Sequence, residues 1–232
     1  MFVYDLATRL KKFKQELPEE FGQVLDVKYM LDQNTLLFSA VNNGYSDIFV
    51  YKINEQTLNQ ITHDVYDDLD PSFVAFPNRT GIIFSSNRPS GNALNSDTAL
   101  PSNNRFNIFL VDNWNRTEFR QISQLTNIKN GNARYPMQYN TNHFTLVNDE
   151  MGIANRYAGF FTTRKAGVDT VYRVGDELLR NPEPAELDSI LQVWNKTGPD
   201  SIGYISVTTE SAYSFPITNY QSSLQETRIA GE

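Results

Sequence analysis

The chain has no cysteine among its 232 residues, only two histidines and two tryptophans, and no long apolar run. Without cysteine there is no disulfide, no thiolate metal site and no cysteine nucleophile. Neither His63 nor His143 has a partner at metal-ligand spacing. No apolar stretch approaches the roughly 20 residues that a membrane-spanning helix needs. No signal-peptide pattern precedes Phe2-Val3-Tyr4-Asp5-Leu6, which reads as a strand. Glycine is sparse, and no Gly-rich phosphate loop is present. Gly44-Tyr45-Ser46 and Gly203-Tyr204-Ile205-Ser206 lack the spacing and setting of a nucleophile elbow. Basic side chains are outnumbered, 20 Lys and Arg against 27 Asp and Glu, for a net charge of −7. That balance argues against a nucleic-acid partner, whose phosphates require a basic face. The one basic run, Arg9, Lys11, Lys12 and Lys14, reads as the solvated face of a strand.

Aromatic residues are plentiful at 12%, mostly Phe and Tyr. Such side chains pack well on a pleated surface. A short phrase recurs among them. Thr35-Leu36-Leu37-Phe38-Ser39-Ala40 returns as Gly81-Ile82-Ile83-Phe84-Ser85-Ser86-Asn87-Arg88, and Phe38 and Phe84 stand 46 positions apart. Each copy is followed by a second apolar phrase, Asp47-Ile48-Phe49-Val50-Tyr51 and Asn107-Ile108-Phe109-Leu110-Val111. Self-similarity at that period in strand-like segments is the signature of a β-propeller blade.

Aligning the copies gives three units of four short strands. The first has strands at Val24–Met30, Thr35–Val41, Asp47–Ile53 and Leu58–Thr62. The second has Pro71–Phe76, Gly81–Ser86, Phe106–Asp112 and Phe119–Leu125. The third has Arg134–Tyr139, Phe144–Asn148, Tyr157–Thr163 and Thr170–Val174. The expected fold is therefore all-β, a β-propeller of four-stranded antiparallel blades. Blades occupy 24–62, 70–126 and 133–175 within a region 1–178, and 1–14 forms the end of a preceding blade. A helical insertion covers 179–200. Pro184 opens its helix near 184–197, Leu187, Ile190, Leu191 and Trp194 form one face, and Gly198 ends it. Residues 201–232 supply two further strands, Ser201–Thr208 and Ala212–Thr218, and a tail. These strands either pair with the N-terminal two in a closing blade or begin the next blade of a larger ring. The start inside a strand favours a segment of a longer protein, and its open edges invite self-association.

Gln60-Ile61-Thr62, the acidic linker, Asp70-Pro71-Ser72-Phe73 and Ile82-Ile83-Phe84-Ser85-Ser86-Asn87-Arg88 resemble the repeat of TolB-type and tricorn-protease propellers. The second unit matches best. The first keeps Phe38-Ser39 and Gln60-Ile61-Thr62, and the third keeps little beyond spacing and Tyr135-Pro136. The resemblance covers roughly residues 1–175. It implies a propeller, a periplasmic or envelope-associated address, and a protein or envelope ligand as partner. With no recognisable triad, metal cluster or phosphate loop in the sequence, no catalysis by this segment and no cofactor are expected. Such a fold hosts many unrelated functions.

In a propeller, the loops between blades and those between second and third strands share one face. Binding residues gather on loops held by a rigid scaffold. On that face lie His63, Asp64, Tyr66, Asp67, Asp68 and Asp70 of the acidic linker, Asn87 and Arg88, and Asp149, Glu150 and Arg156 one blade on. The long polar stretch Arg88–Asn104 joins them. Arg88 either pairs with Asp67, Asp68 or Asp70, or grips a ligand carboxylate. No metal set is assigned, although Asp64, Asp67 and Asp68 are oxygen donors of the kind Ca²⁺ takes. The other reading of the linker is a solvated connector with Asp70 capping the turn before Pro71. Three functions follow. The first is a non-catalytic binding or scaffold module. The second is a propeller that gates substrate for a hydrolase domain elsewhere in the parent chain. The third is a glycan- or Ca²⁺-binding propeller.

Overall fold

The computed structural model describes residues 2–14, 16, 21–77, 79–89, 105–112, 114–115 and 120–225. The long polar stretch from 90 to 104, Phe119 and the tail from 226 lie outside the described residues.

The chain is all-β apart from one short helix. A two-stranded sheet of β1 (Phe2–Asp5) and β2 (Leu10–Lys14) comes first. On β2, Lys12 and Lys14 point their side chains to solvent, as the basic run suggests. Sheet one contains β3 (Phe21–Tyr29), β4 (Thr35–Asn42), β5 (Tyr45–Lys52) and β6 (Thr57–Gln60) in chain order. Sheet two contains β7 (Asp68–Ala75), β8 (Thr80–Ser86), β9 (Asn107–Asp112) and β10 (Gln121–Gln124), again in chain order. All neighbours within these two sheets are antiparallel. The repeat is visible in the register: Phe38 faces Phe49 across β4 and β5, and Phe84 faces Phe109 across β8 and β9.

Strands β4, β5, β8 and β9 are buried on both faces, so each reads as a nearly unbroken apolar run rather than a strict alternation. Alternate residues serve different cores. Leu37, Ile48, Val50 and Ile61 of sheet one meet Ile82, Phe84, Phe109 and Val111 of sheet two. Val74, Ile83, Ile108 and Leu110, on the other face of sheet two, meet Ala133, Phe144 and Leu146 of sheet three. The remaining face of sheet one buries Leu36, Phe38, Ala40, Phe49 and Tyr51 in a third cluster with Phe21, Val24 and Ile53. The sheets therefore stack face to face in chain order. Each fully buried Phe, Ile or Leu contributes about 1.5–3 kcal/mol to that stack.

Sheet three departs from the expected unit. Its strands β11 (Ala133–Asn140) and β12 (His143–Asn148) fall where the repeat places them, but Tyr157–Thr163 and Thr170–Val174 are not separate strands. Both belong to β13, a single strand from Asn155 to Val174. No turn chemistry separates them. Gly167 marks a bulge, where the register against β15 shifts between Lys165 and Gly167. The fourth position is filled from far along the chain by β15 (Ser201–Pro216), also a single strand where two were expected. β15 pairs with β13 from Tyr157↔Pro216 to Arg173↔Ser201. It does not pair with β1 or β2, so the closing blade built from both termini is absent among the described residues. β14 (Glu177–Arg180) pairs with the distal half of β13.

Helix α1 (Pro184–Val193) starts at proline, as the sequence indicates, but ends before Gly198. Asn195 adopts φ 52°, the left-handed conformation that terminates helices. Trp194 caps the helix and lies over Gly175, where a Cβ would meet the indole at 2.5 Å. Gly175 itself has φ 64°, so glycine is required there twice over.

β15 is latched to sheet two by a buried ion network. Arg79 Nη1 lies 2.5 Å from Asp112 Oδ2, and Arg79 Nη2 donates to Glu210 Oε1 at 2.5 Å. Thr163 Oγ1 donates to the other Glu210 oxygen at 2.9 Å.

Candidate functional site

Three strand ends meet at one end of the stack. β7 and β8 are antiparallel, and Asp68 at the start of β7 stands opposite Ser86 at the end of β8. Arg88, two residues beyond Ser86, therefore falls over the start of β7. β5 begins at the same end, because the β4–β5 turn reverses the chain at Asn43 and Gly44, both with positive φ. This delivers Asp47 from sheet one. The connector from β6 to β7 carries Asp64 and Tyr66 between them.

The Arg88 side chain is fully enclosed. Its Nη2 donates to Asp68 Oδ1 at 2.8 Å and Oδ2 at 2.6 Å, and its Nε donates to Ser86 Oγ at 3.0 Å. The same Nη2 lies 3.1 Å from Asp64 Oδ2. The rings of Tyr66, Phe84 and Phe109 surround the guanidinium with centroids at 5.5, 5.4 and 5.7 Å. Cation–π attraction is strongest where water is excluded, as here. Of the partners considered for Arg88, the structure selects Asp68. Burial works against the Arg88 charge, and Asp68 and Asp64 together outweigh it, holding the guanidinium above its ordinary value.

Asp47 joins this group and was not among the sequence candidates. Burial, then repulsion from Asp68 and Asp64, pushes its carboxyl up to about 8. Its Oδ2 accepts from Gln60 Nε2 at 3.0 Å. Burial likewise raises Asp64 to about 6, with Arg88 opposing. A carboxyl that holds its proton near neutral pH has the property of a general acid. Asp47 is only 2% exposed, however, and is walled in by its neighbours.

The other candidates sort into separate places. Asp67 turns away from the group, with Oδ1 accepting from Ser46 N at 3.2 Å and its own N–H donating to Asn87 Oδ1 at 2.9 Å. Of the oxygen donors Asp64, Asp67 and Asp68, it thus stands apart from the other two. His63 is largely exposed and bonds Gln60 at 3.0 Å. The linker is not a solvated connector beyond that point, because Asp68 and Asp70 lie inside β7 and are buried.

Asp70 sits at a bulge with φ 53° and builds a second knot. It accepts from Arg134 Nε at 2.5 Å, from Ser85 Oγ at 3.1 Å and from Tyr135 N at 3.2 Å. Arg134 was also missed by sequence reading. Only its position at the start of a third-unit strand, beside Tyr135-Pro136, pointed to it.

Asp149 and Glu150 hold the connector into sheet three. Asp149 Oδ1 accepts from Asn132 N at 2.5 Å, and Glu150 Oε1 from Lys129 N at 3.4 Å. Nearby, Met151, Asn155, Tyr157, Pro216, Ile217 and Thr218 line an open cavity of about 690 Å³. Cavities of about 300–1,000 Å³ are of the size that holds small molecules. Asn155 braces it, its Oδ1 accepting from Thr218 Oγ1 at 3.0 Å and Tyr220 N at 2.7 Å. Arg156 lies at its edge, its N–H donating to Thr218 Oγ1 at 2.9 Å.

Comparison with protein-family models and with curated proteins finds no match to this chain.

Proposed function

We propose that this chain is a non-catalytic binding or scaffold module, a TolB-like β-propeller segment whose loop end is presented to a protein or envelope ligand. The observation that carries this reading is the stacking of the sheets. Phe38 and Phe84 hold equivalent register positions in their sheets. Phe84 faces the preceding sheet, and Leu146 of sheet three does the same. Four-stranded sheets packed in chain order, always by the same pair of faces, are what successive blades require. The buried Arg88–Asp68 and Arg134–Asp70 pairs stiffen the end where the inter-sheet connectors gather, which is the condition for a rigid display surface.

The same symmetry leaves one face over. On sheet three, the face turned away from sheet two carries Tyr139, Phe160 and Tyr213, each well exposed. A further blade of the parent protein is the natural cover for it under this reading.

A photo-crosslinking amino acid at Met151, which is 83% exposed beside the cavity, tests the display surface. The same probe at Val193 on the helix, 71% exposed, serves as reference. In native cells the probe at Met151 should give an adduct of defined mass that the Val193 probe does not. Adducts at Val193 alone, or at neither position, would end this reading.

A further inference from the structure

The group around Arg88 is unbalanced. Asp47, Asp64 and Asp68 bring three carboxylates into one enclosed space, and Arg88 is the only cation among the described residues that enters it. The charge deficit is two if all three ionise. Two buried atoms also lack a well-aligned partner among the described residues: Asp47 Oδ1, an acceptor that has only the Asp64 N–H near its carboxylate, and Arg88 Nη1, a donor. Asp64 Oδ2 is in ion-pair range of Arg88 but has no directed hydrogen bond, because that nitrogen already donates to both Asp68 oxygens. Buried polar atoms are rarely left unsatisfied, and each such atom calls for a partner.

We infer that Asp47, Asp64 and Asp68 form a binding site for one hard divalent cation of the Ca²⁺ class, tied to Arg88. One carboxylate oxygen from each residue lies within 4.8 Å of the others. Three oxygens spread evenly around one Ca²⁺ at about 2.6 Å stand about 4.5 Å apart, so small side-chain rotations suffice to bring the three onto one ion. The donor set is oxygen only, which favours Ca²⁺, Mg²⁺ or Mn²⁺ over Zn²⁺. His63, the nearest nitrogen donor, has Nδ1 4.0 Å from Asp47 Oδ2 and is bonded instead to Gln60. A divalent ion cancels the deficit of two. A water on that ion accepts from Arg88 Nη1, so the same occupant satisfies both the acceptor and the donor. Asp67, which faces Ser46 N, and Tyr66, whose ring covers Arg88, complete the surroundings without entering the set.

The inference goes beyond the scaffold reading, which needs no ion, and its failure leaves the crosslinking result untouched.

The test is calorimetric titration of the whole chain with CaCl2 and separately with MnCl2. One site per chain is expected, with a raised melting temperature. Asp47→Asn should abolish the site and, because it removes repulsion, should fold at least as well as the parent. Asp149→Asn with Glu150→Gln should leave the site intact. Mn²⁺ should broaden the amide signals of Ser46, Asp64 and Asn87 before others. No heat at millimolar Ca²⁺ and Mn²⁺ would overturn the inference. Binding that survives Asp47→Asn would overturn it too, by placing the ion elsewhere.

Discussion

Arg88 is the residue on which this end of the molecule depends. A buried cation is costly in isolation, and its three carboxylate neighbours are costlier still without it. Arg88→Met should therefore lower stability by about 3–5 kcal/mol, read as a shift of the urea midpoint. Arg88→Lys should cost less but remain destabilising. An ammonium is a compact point charge, and it cannot serve Asp68 and Ser86 at once as the planar guanidinium does. Asp47 sets the pH response. Its value is about 8 in the fold against 3.8 for the free side chain, so between those values the folded state keeps a proton that the unfolded chain has lost. Stability should fall as pH rises through that window and level off above it. Asp64 and Asp112, each raised to about 6, act in the same direction. Asp5, Asp32, Asp169 and Asp200 are lowered, so their contribution is lost only below 3.8, outside this window. Thermal melts in chelator from pH 5 to 9 should show the decline, and Asp47→Asn should remove its part between about pH 6 and 8.

At the scale of the element, the third sheet is where packing is least forgiving. Gly159 of β13 lies beneath the Phe144 ring, where a Cβ would sit 2.4 Å from the ring edge. Gly159→Ala should cost about 1–3 kcal/mol by overpacking, with a matching loss of melting temperature. Strands β4, β5, β8 and β9 were legible because apolar runs of strand length alternate with turn residues, and because two copies confirm each other. β13 was not legible as one strand. Its middle, from Arg164 to Asp169, is polar and contains Gly167, and a polar stretch with glycine reads as a loop. Pairing with β15 keeps it extended instead. Arg88–Asp68 was within reach because an arginine after one strand and an acidic run before its neighbour meet in any antiparallel pair. Asp47 was not, since it belongs to a different sheet and stands at the head of an apolar strand.

For the whole molecule, the decisive contact is the least local one. β15 reaches sheet three after an excursion through β14 and α1, and no periodicity in the sequence announces its return. It completes the cover over Tyr157 and Phe161, through Ala212. A chain ending at Asp200 should lose that cover and expose the second core. It should bind a hydrophobic dye and lose near-ultraviolet dichroism, while the signals of sheet one persist. Glu210→Gln is the milder probe. It weakens the Arg79 latch without removing a strand, and hydrogen exchange in β13 and β15 should quicken relative to β8 and β9.

That latch also gives the molecule a mechanical character. The β13–β15 ribbon opens from its Tyr157↔Pro216 end, where β13 begins and β15 ends side by side. Tension applied beyond Pro216 peels the ribbon one rung at a time, the weakest way to load a sheet. Peeling reaches Thr163↔Glu210 and meets the charged lock with Arg79 and Asp112. Sheet three therefore behaves as a clutch: it yields gently over its first rungs, then holds, and passes the pull on to sheet two.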